Sequence, residues 1–273
     1  MRFVGNWFGF YVFGNVHVAL AVYCLTRITL ETYGLPNAGT AEFLFCATVV
    51  AYNLIRFVQL ERISDMSTNW IRANSKALLL LNLLAVAGMI RFALEADPED
   101  LLLILPFAIA TSLYVLPFSS HGKGLRHVPG LKLFLIAFTW AGLTVLYPLA
   151  AGNVAIDGMA GLFFLQRFLF IAAITIPFDI RDLQLDMPEL GTLPQVLGVG
   201  RSKTVALFCL FAFVLIEAWL TPLDDPAFWA VGITGMLAML GVLRADINQS
   251  RFFSSFWVES LPIVWYLLLR LFV

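Results

Sequence analysis

Apolar runs of the length that crosses a membrane fill most of this chain. A helix needs about 20 mostly apolar residues to span the hydrocarbon core. Stretches of that kind recur nine times in the 273 residues, at approximately 10–27, 41–58, 77–94, 101–118, 131–150, 159–178, 203–221, 227–244 and 256–272. Composition agrees: 60% of residues are hydrophobic and 13% charged, where a soluble domain carries roughly 25% charged residues. So few charges do not cover a surface of this size against water. A soluble enzyme, a nucleic-acid binder and a secreted disulfide scaffold therefore fit poorly, and the net charge of −1 supplies no basic face for nucleic acid. Cys24, Cys46 and Cys209 lie in apolar runs without metal-ligand spacing and read as reduced, buried thiols. The connectors are short and marked by breakers such as Gly34-Leu35-Pro36 and Ala96-Asp97-Pro98, with no linker long enough to divide the chain. The expected fold is all-α, a polytopic membrane helical bundle of about nine transmembrane helices forming a single domain over residues 1–273.

Charge asymmetry gives an expected orientation. One alternate set of loops carries Arg62, Arg72 and Lys76, then Lys123, Arg126 and Lys132, then Arg181, Arg201 and Lys203, then Arg244 and Arg251. The other set carries Glu95, Asp97, Glu99 and Asp100, then Asp157, then Asp224 and Asp225. Lys and Arg concentrate in the cytoplasmic loops of membrane proteins. The N-terminus and the cation-rich loops are thus expected in the cytoplasm, with Val273 on the opposite side. Those cytoplasmic loops are also the longer ones, and they offer the place for a polar chamber.

One segment does not belong in lipid. At the end of the sixth run the chain reads Phe178-Asp179-Ile180-Arg181-Asp182-Leu183-Gln184-Leu185-Asp186-Met187-Pro188-Glu189-Leu190-Gly191-Thr192-Leu193-Pro194. Asp179, Asp182 and Asp186 follow i, i+3, i+7 spacing, so a continuing helix sets all three within about 60° of one face. Clustered carboxylates repel one another, and desolvation at a membrane boundary worsens the repulsion. A divalent cation relieves it. Mg²⁺ suits hard oxygen ligands and typically bridges one or two carboxylates to the phosphate oxygens of a substrate. The plainer alternative is a solvated acidic helix end tied to Arg181 and Arg201.

The run D-I-R-D-L-Q-L-D-x-x-E-L-G-T-L-P-Q-V-L-G, Asp179 to Gly198, resembles the second aspartate-rich motif of the UbiA superfamily of intramembrane prenyltransferases. Tyr114-Val115-Leu116-Pro117, followed by Lys123, Arg126, Lys132 and Trp140, resembles that family's connection between the fourth and fifth helices. The first motif departs from the family pattern. Its counterpart is Tyr52-Asn53-Leu54-Ile55-Arg56-Phe57-Val58-Gln59-Leu60-Glu61-Arg62, where Asn53 is in place, Glu61 stands for the last carboxylate and Phe57 fills the position of the middle one. Set as half-repeats, Tyr52-Asn53 matches Phe178-Asp179 and Arg56 matches Asp182. The resemblance covers most of the chain, and its specific part is Asp179–Gly198.

The resemblance implies a UbiA-like arrangement of nine helices around a central cavity on the cytoplasmic side. It implies that Asp179, Asp182 and Asp186 are catalytic and hold metal. It further implies that Asn53, Arg56, Glu61, Arg62, Tyr114, Lys123, Arg126 and Arg181 bind substrate. With one first-motif carboxylate lost, one Mg²⁺ is expected instead of two, and Arg56, Arg62, Lys123 and Arg126 take phosphate oxygens directly, as Arg does bidentately. The implied activity moves an isoprenyl group from an allylic diphosphate to a lipophilic, aromatic acceptor within membrane lipid. Phe57, Tyr114, Trp140 and Phe178 are candidates to stabilise the allylic cation through their ring faces, although helix packing is the ordinary use of each. The altered first motif also admits a catalytically silent relative that binds an isoprenoid lipid, quinone or pigment beside a partner in a membrane complex. A transporter is a third class, disfavoured because the carboxylates gather at one membrane face. The remaining polar residues inside runs, His17 with Asn15, Arg167 with Gln166, Glu217 and Glu259, are costly in hydrocarbon. An Arg167–Glu217 pair is expected, since each is otherwise an unpaired buried charge, and His17 reads as a hydrogen-bonded core residue.

Overall fold

Lipid offers no hydrogen-bond partner to a peptide group, so long apolar runs satisfy their own backbones by coiling. The structure, a computed structural model, describes residues 2–58, 70–115, 128, 130–187 and 190–272, and every extended element among these is helical. In chain order they are α1 (Arg2–Phe13), α2 (Val16–Thr32), α3 (Thr40–Val58), α4 (Ser75–Glu95), α5 (Pro98–Leu102), α6 (Leu105–Val115), α7 (Leu131–Ala151), α8 (Gly158–Arg181), α9 (Leu193–Leu220), α10 (Pro226–Arg244) and α11 (Phe253–Phe272). Among the described residues seven helices, α3, α4 and α7 to α11, are long and apolar enough to cross a membrane. The bent pair Trp7–Phe13 and Val16–Thr32 makes an eighth if counted as one span. These are the proportions of a multi-pass membrane protein.

Three runs differ from the expected rods. The first breaks at Gly14-Asn15, where Asn15 adopts a left-handed φ of 64° and the two pieces meet at 57°. The run at 101–118 consists of the short α5, a turn at Leu103-Ile104 and α6, and its continuation past Val115 lies outside the described residues. The helix over 203–221 begins earlier, at Leu193, and kinks at Gly198, whose φ of 78° suits glycine and strains any other residue.

Packing follows the chain. The long helix α8 contacts α7, α9 and α10, α3 lies between α2 and α4, and α11 returns against α2. Phe170 of α8, Phe213 of α9 and Trp265 of α11 form the aromatic core, with ring centroids 4.9 to 5.5 Å apart. The outward face of α4 carries Leu79, Leu80, Leu83, Leu84, Ile90 and Leu94, all more than half exposed, as a lipid-facing helix should.

The expected Arg167–Glu217 pair does not form. Glu217 accepts instead from Gln166 Nε2 at 2.6 Å and from Thr221 Oγ1 at 2.9 Å. Arg167, fully buried, donates to Leu25 O at 2.9 Å and lies 4.7 Å from the Trp265 ring centroid. Successive helical residues point roughly 100° apart, so Gln166 meets α9 and Arg167 turns to α2 and α11. His17 is a buried, bonded residue: Nδ1 meets the Tyr11 hydroxyl at 2.7 Å and Nε2 meets Phe256 O at 3.1 Å.

Within α7 a π-turn, Gly142–Leu146, brings the backbone against the buried Phe107 ring, and a Cβ at Gly142 would overlap that ring. Gly142→Ala is expected to destabilise by about 1–3 kcal/mol, the usual cost of overpacking. Thermal unfolding in detergent checks this, and an unchanged midpoint would show that Phe107 swings aside freely.

Candidate functional site

The acidic segment is set by how α8 stops and α9 starts. Asp182 is the C-cap of α8, its N–H donating to Phe178 O at 2.9 Å, and the N–H groups of Leu185 and Asp186 both return to Asp182 O at 2.8 Å. The continuing helix that would have put three carboxylates on one face is therefore absent. A proline at position 188 bars helix through it and disfavours helical geometry just before it. At the start of α9 the Thr192 N–H donates to Gln195 Oε1 at 2.9 Å, half of a capping box, with Pro194 in the first turn. Gln195 Nε2 in turn donates to Met187 O at 3.1 Å and Asp186 O at 3.3 Å. The T-L-P-Q part of the motif thus pins the acidic segment to α9.

Lys132, the second residue of α7, stands among the carboxylates. Its Nζ lies 2.8 Å from Asp179 Oδ1 and 3.1 Å from Asp186 Oδ2. Asp179 is 1% exposed, and neither of its oxygens accepts a well-aligned hydrogen bond, so the nearby ammonium compensates it chiefly by charge. Asp182 turns to its neighbour: Arg181 Nε and Nη2 donate to its two oxygens at 2.7 and 2.8 Å, while Arg181 Nη1 donates to Ser255 Oγ of α11 at 2.8 Å. The same guanidinium sits 5.3 Å from the Phe178 ring centroid. Gly130, in the left-handed region at φ 75°, precedes α7 and donates its N–H to Gly191 O at 3.0 Å. That bond ties the start of α7, and with it Lys132, to the acidic segment.

Among the described residues no group of three or more His, Cys, Asp or Glu side chains gathers as a metal ion would require. Asp182 is engaged by Arg181, and the point shared by Asp179 and Asp186 is filled by an ammonium. The donor set does not fit a Mg²⁺ ion held by all three aspartates.

The first-motif residues serve the helix break. Asn53 accepts from Asn15 Nδ2 at 2.8 Å and donates to Gly14 O at 3.2 Å. Arg56 donates to Phe13 O and, at 3.0 Å, to Asn15 Oδ1. These bonds supply donors to carbonyls that a broken helix leaves without partners. Phe57 is 68% exposed and borders an apolar pocket between α3 and α4 with Asn53, Arg56, Leu78 and Asn82. Glu61, Arg62, Lys123 and Arg126, and the side chain of Tyr114, lie outside the described residues.

Sequence reasoning left Lys132 and Glu259 out of the site, and of one aromatic pair it named Trp140 as a cation-stabilising candidate but not Tyr52. Lys132 appears in the sequence as one cation of a basic loop and of the family-like connection before Trp140, not as the partner of the aspartates. Glu259 of α11 appears as a costly charge, yet it lies within electrostatic reach of Arg56, Arg181, Tyr11 and Tyr52. Trp140 Nε1 donates to the Tyr52 hydroxyl at 3.0 Å, and both residues line a mostly apolar pocket of about 310 Å³ with Val22, Leu44, Phe107 and Leu143. A cation two residues into an apolar span and a lone carboxylate within another were the available signals. Compared with known protein families, characterised proteins and solved structures, the chain has no match.

Arg181 holds both Asp182 and Ser255. Arg181→Ala is expected to cost about 1–3 kcal/mol, because it strips a carboxylate and a hydroxyl of their donor, and Ser255→Ala less. Parallel thermal unfolding measures the order, and equal losses would mean that the Asp182 pair contributes nothing.

Proposed function

We propose that this chain is a UbiA-like membrane transferase that moves an isoprenyl group from an allylic diphosphate to a lipophilic, aromatic acceptor. The observation supporting it is the meeting of a charged cluster with an apolar pocket. Arg56, Lys132, Arg181, Asp182 and Glu259 come from α3, α7, the end of α8 and α11, and Tyr52, one helical turn before Arg56 on α3, is a polar group of the pocket. The acidic motif from Asp179 to Gly198 supplies the resemblance. The finer architecture belongs to the same proposal: nine spans with the 101–118 run as the fourth, a central cavity toward the cytoplasm, a cytoplasmic N-terminus and Val273 on the far side. The cation-rich alternate loops support that orientation.

In this reading Arg181 and Lys132 exchange carboxylate partners for diphosphate oxygens, with further cations from Arg56, Arg62, Lys123 and Arg126. The allylic C–O bond breaks and its electron pair leaves with the diphosphate, whose growing negative charge the cations stabilise. The ring faces of Tyr52 and Trp140 attract the allylic cation, and apolar walls keep water from it. The acceptor's nucleophilic carbon or oxygen then closes the new bond and sheds a proton.

One observation favours a second reading, the catalytically silent relative that holds an isoprenoid lipid, quinone or pigment in a membrane complex. Each aspartate of the motif already has a cation of this chain beside it, and Asn53 and Arg56 are spent on the α1–α2 break. Radiolabelled allylic diphosphates of several lengths, offered with lipid-soluble phenols to the protein in nanodiscs, separate the two. Transfer is expected, falling about 100-fold or more in Arg181→Ala, the size of loss when one charge-stabilising group is removed. Retained binding of the labelled lipid without any product would instead establish the silent reading.

A further inference from the structure

We infer that Lys132 is the built-in cation of the acidic motif, its ammonium standing where a divalent ion would be shared by Asp179 and Asp186, so that the ligand-free protein takes up no such ion there. Both carboxylates converge on one Nζ, at 2.8 and 3.1 Å, which is the geometry of two ligands on one cation. Asp179 is buried and has no well-aligned hydrogen bond, so a neighbouring positive charge is what makes its burial tolerable. Among the described residues of the motif the third carboxylate, Asp182, is not free to join, because Arg181 holds it at both oxygens. The Gly130–Gly191 bond fixes the root of Lys132 against the segment, which keeps the ammonium at the shared point. A Mg²⁺ ion arriving there would shed waters reluctantly and would also have to expel a charge already neutralising the pair.

The converse is specific. Taking away the ammonium leaves two converging carboxylates, 1% and 16% exposed, without the cation they share. That is an oxygen-ligand site suited to a small divalent ion. The inference concerns only the ligand-free protein and stands whether or not prenyl transfer occurs.

Mn²⁺ electron paramagnetic resonance on protein in phosphatidylcholine nanodiscs tests it. Wild-type protein is expected to leave the free Mn²⁺ signal unchanged up to about 1 mM, beyond the range of dedicated divalent-ion sites in cells. Lys132→Met is expected to take up one Mn²⁺ at least about tenfold more tightly, and Lys132→Met combined with Asp179→Asn to lose it again. Lys132→Arg, which keeps the charge, should behave as wild type. Mg²⁺ should raise the unfolding midpoint of Lys132→Met and leave that of wild type unmoved, since an ion that binds only the folded state stabilises it. Uptake of one Mn²⁺ by ligand-free wild-type protein at micromolar concentration, no tighter in Lys132→Met, overturns the inference. The wild-type titration decides the matter alone should Lys132→Met fail to fold.

Discussion

Removing an ion from water costs several kcal/mol even after the protein relaxes around it, and this chain carries four acidic and three basic side chains into the neighbourhood where α3, α7, α8 and α11 meet. They are arranged so that the costs offset. Lys132 serves two carboxylates from one nitrogen, Arg181 covers Asp182 with a planar two-point contact, and the Arg181 and Arg56 charges both act on Glu259. The helix ends follow from this. The stop of α8 at Arg181 frees Asp182 to fold back, and the Gln195 side chain holds the turn so that Asp186 reaches the same ammonium as Asp179.

The aromatic pocket adjoins that network at one residue. The Tyr52 hydroxyl takes the indole N–H of Trp140, so the ring borders an apolar hollow, and Arg56 follows it one helical turn later on α3. A lipid tail in the hollow and an anionic head among the cations would meet at that hydroxyl. The arrangement is the physical content of the proposed transferase, and it also suits a protein that only holds such a lipid.

Seven of the spans were legible because an apolar run long enough to cross a bilayer has no alternative to helix. The runs at 41–58 and 227–244 differ from α3 and α10 by at most a residue at either end. The breaks were less legible, since what stabilises them comes from far away in sequence: the carbonyls freed at Gly14-Asn15 are answered by Asn53 and Arg56. The aspartate spacing disclosed a cluster but not its counter-ion, because Lys132 lies on another helix and reaches Asp186 across 54 residues. Pro188 did carry the sign that helical periodicity would not run through the motif. For Arg167 and Glu217 the energetic demand was foreseen and the partner was not, because neighbouring positions 166 and 167 face different helices.

A π-turn carries one residue more than the α-helical turn it replaces, and α11 begins with such a widened coil, Phe253–Val258. Three of its residues anchor other helices: Ser254 Oγ donates to Pro177 O, Ser255 Oγ accepts from Arg181, and Phe256 O meets His17. Loss of a single codon within it would let the coil tighten to an ordinary α-turn and leave the helix beyond it nearly in register, but Ser254, Ser255 and Phe256 could no longer all keep their places, so several anchors would go at once where a replacement removes one. Reading-frame-preserving deletions there should consequently be far rarer among surviving descendants of this gene than single-letter replacements of the same amino acids.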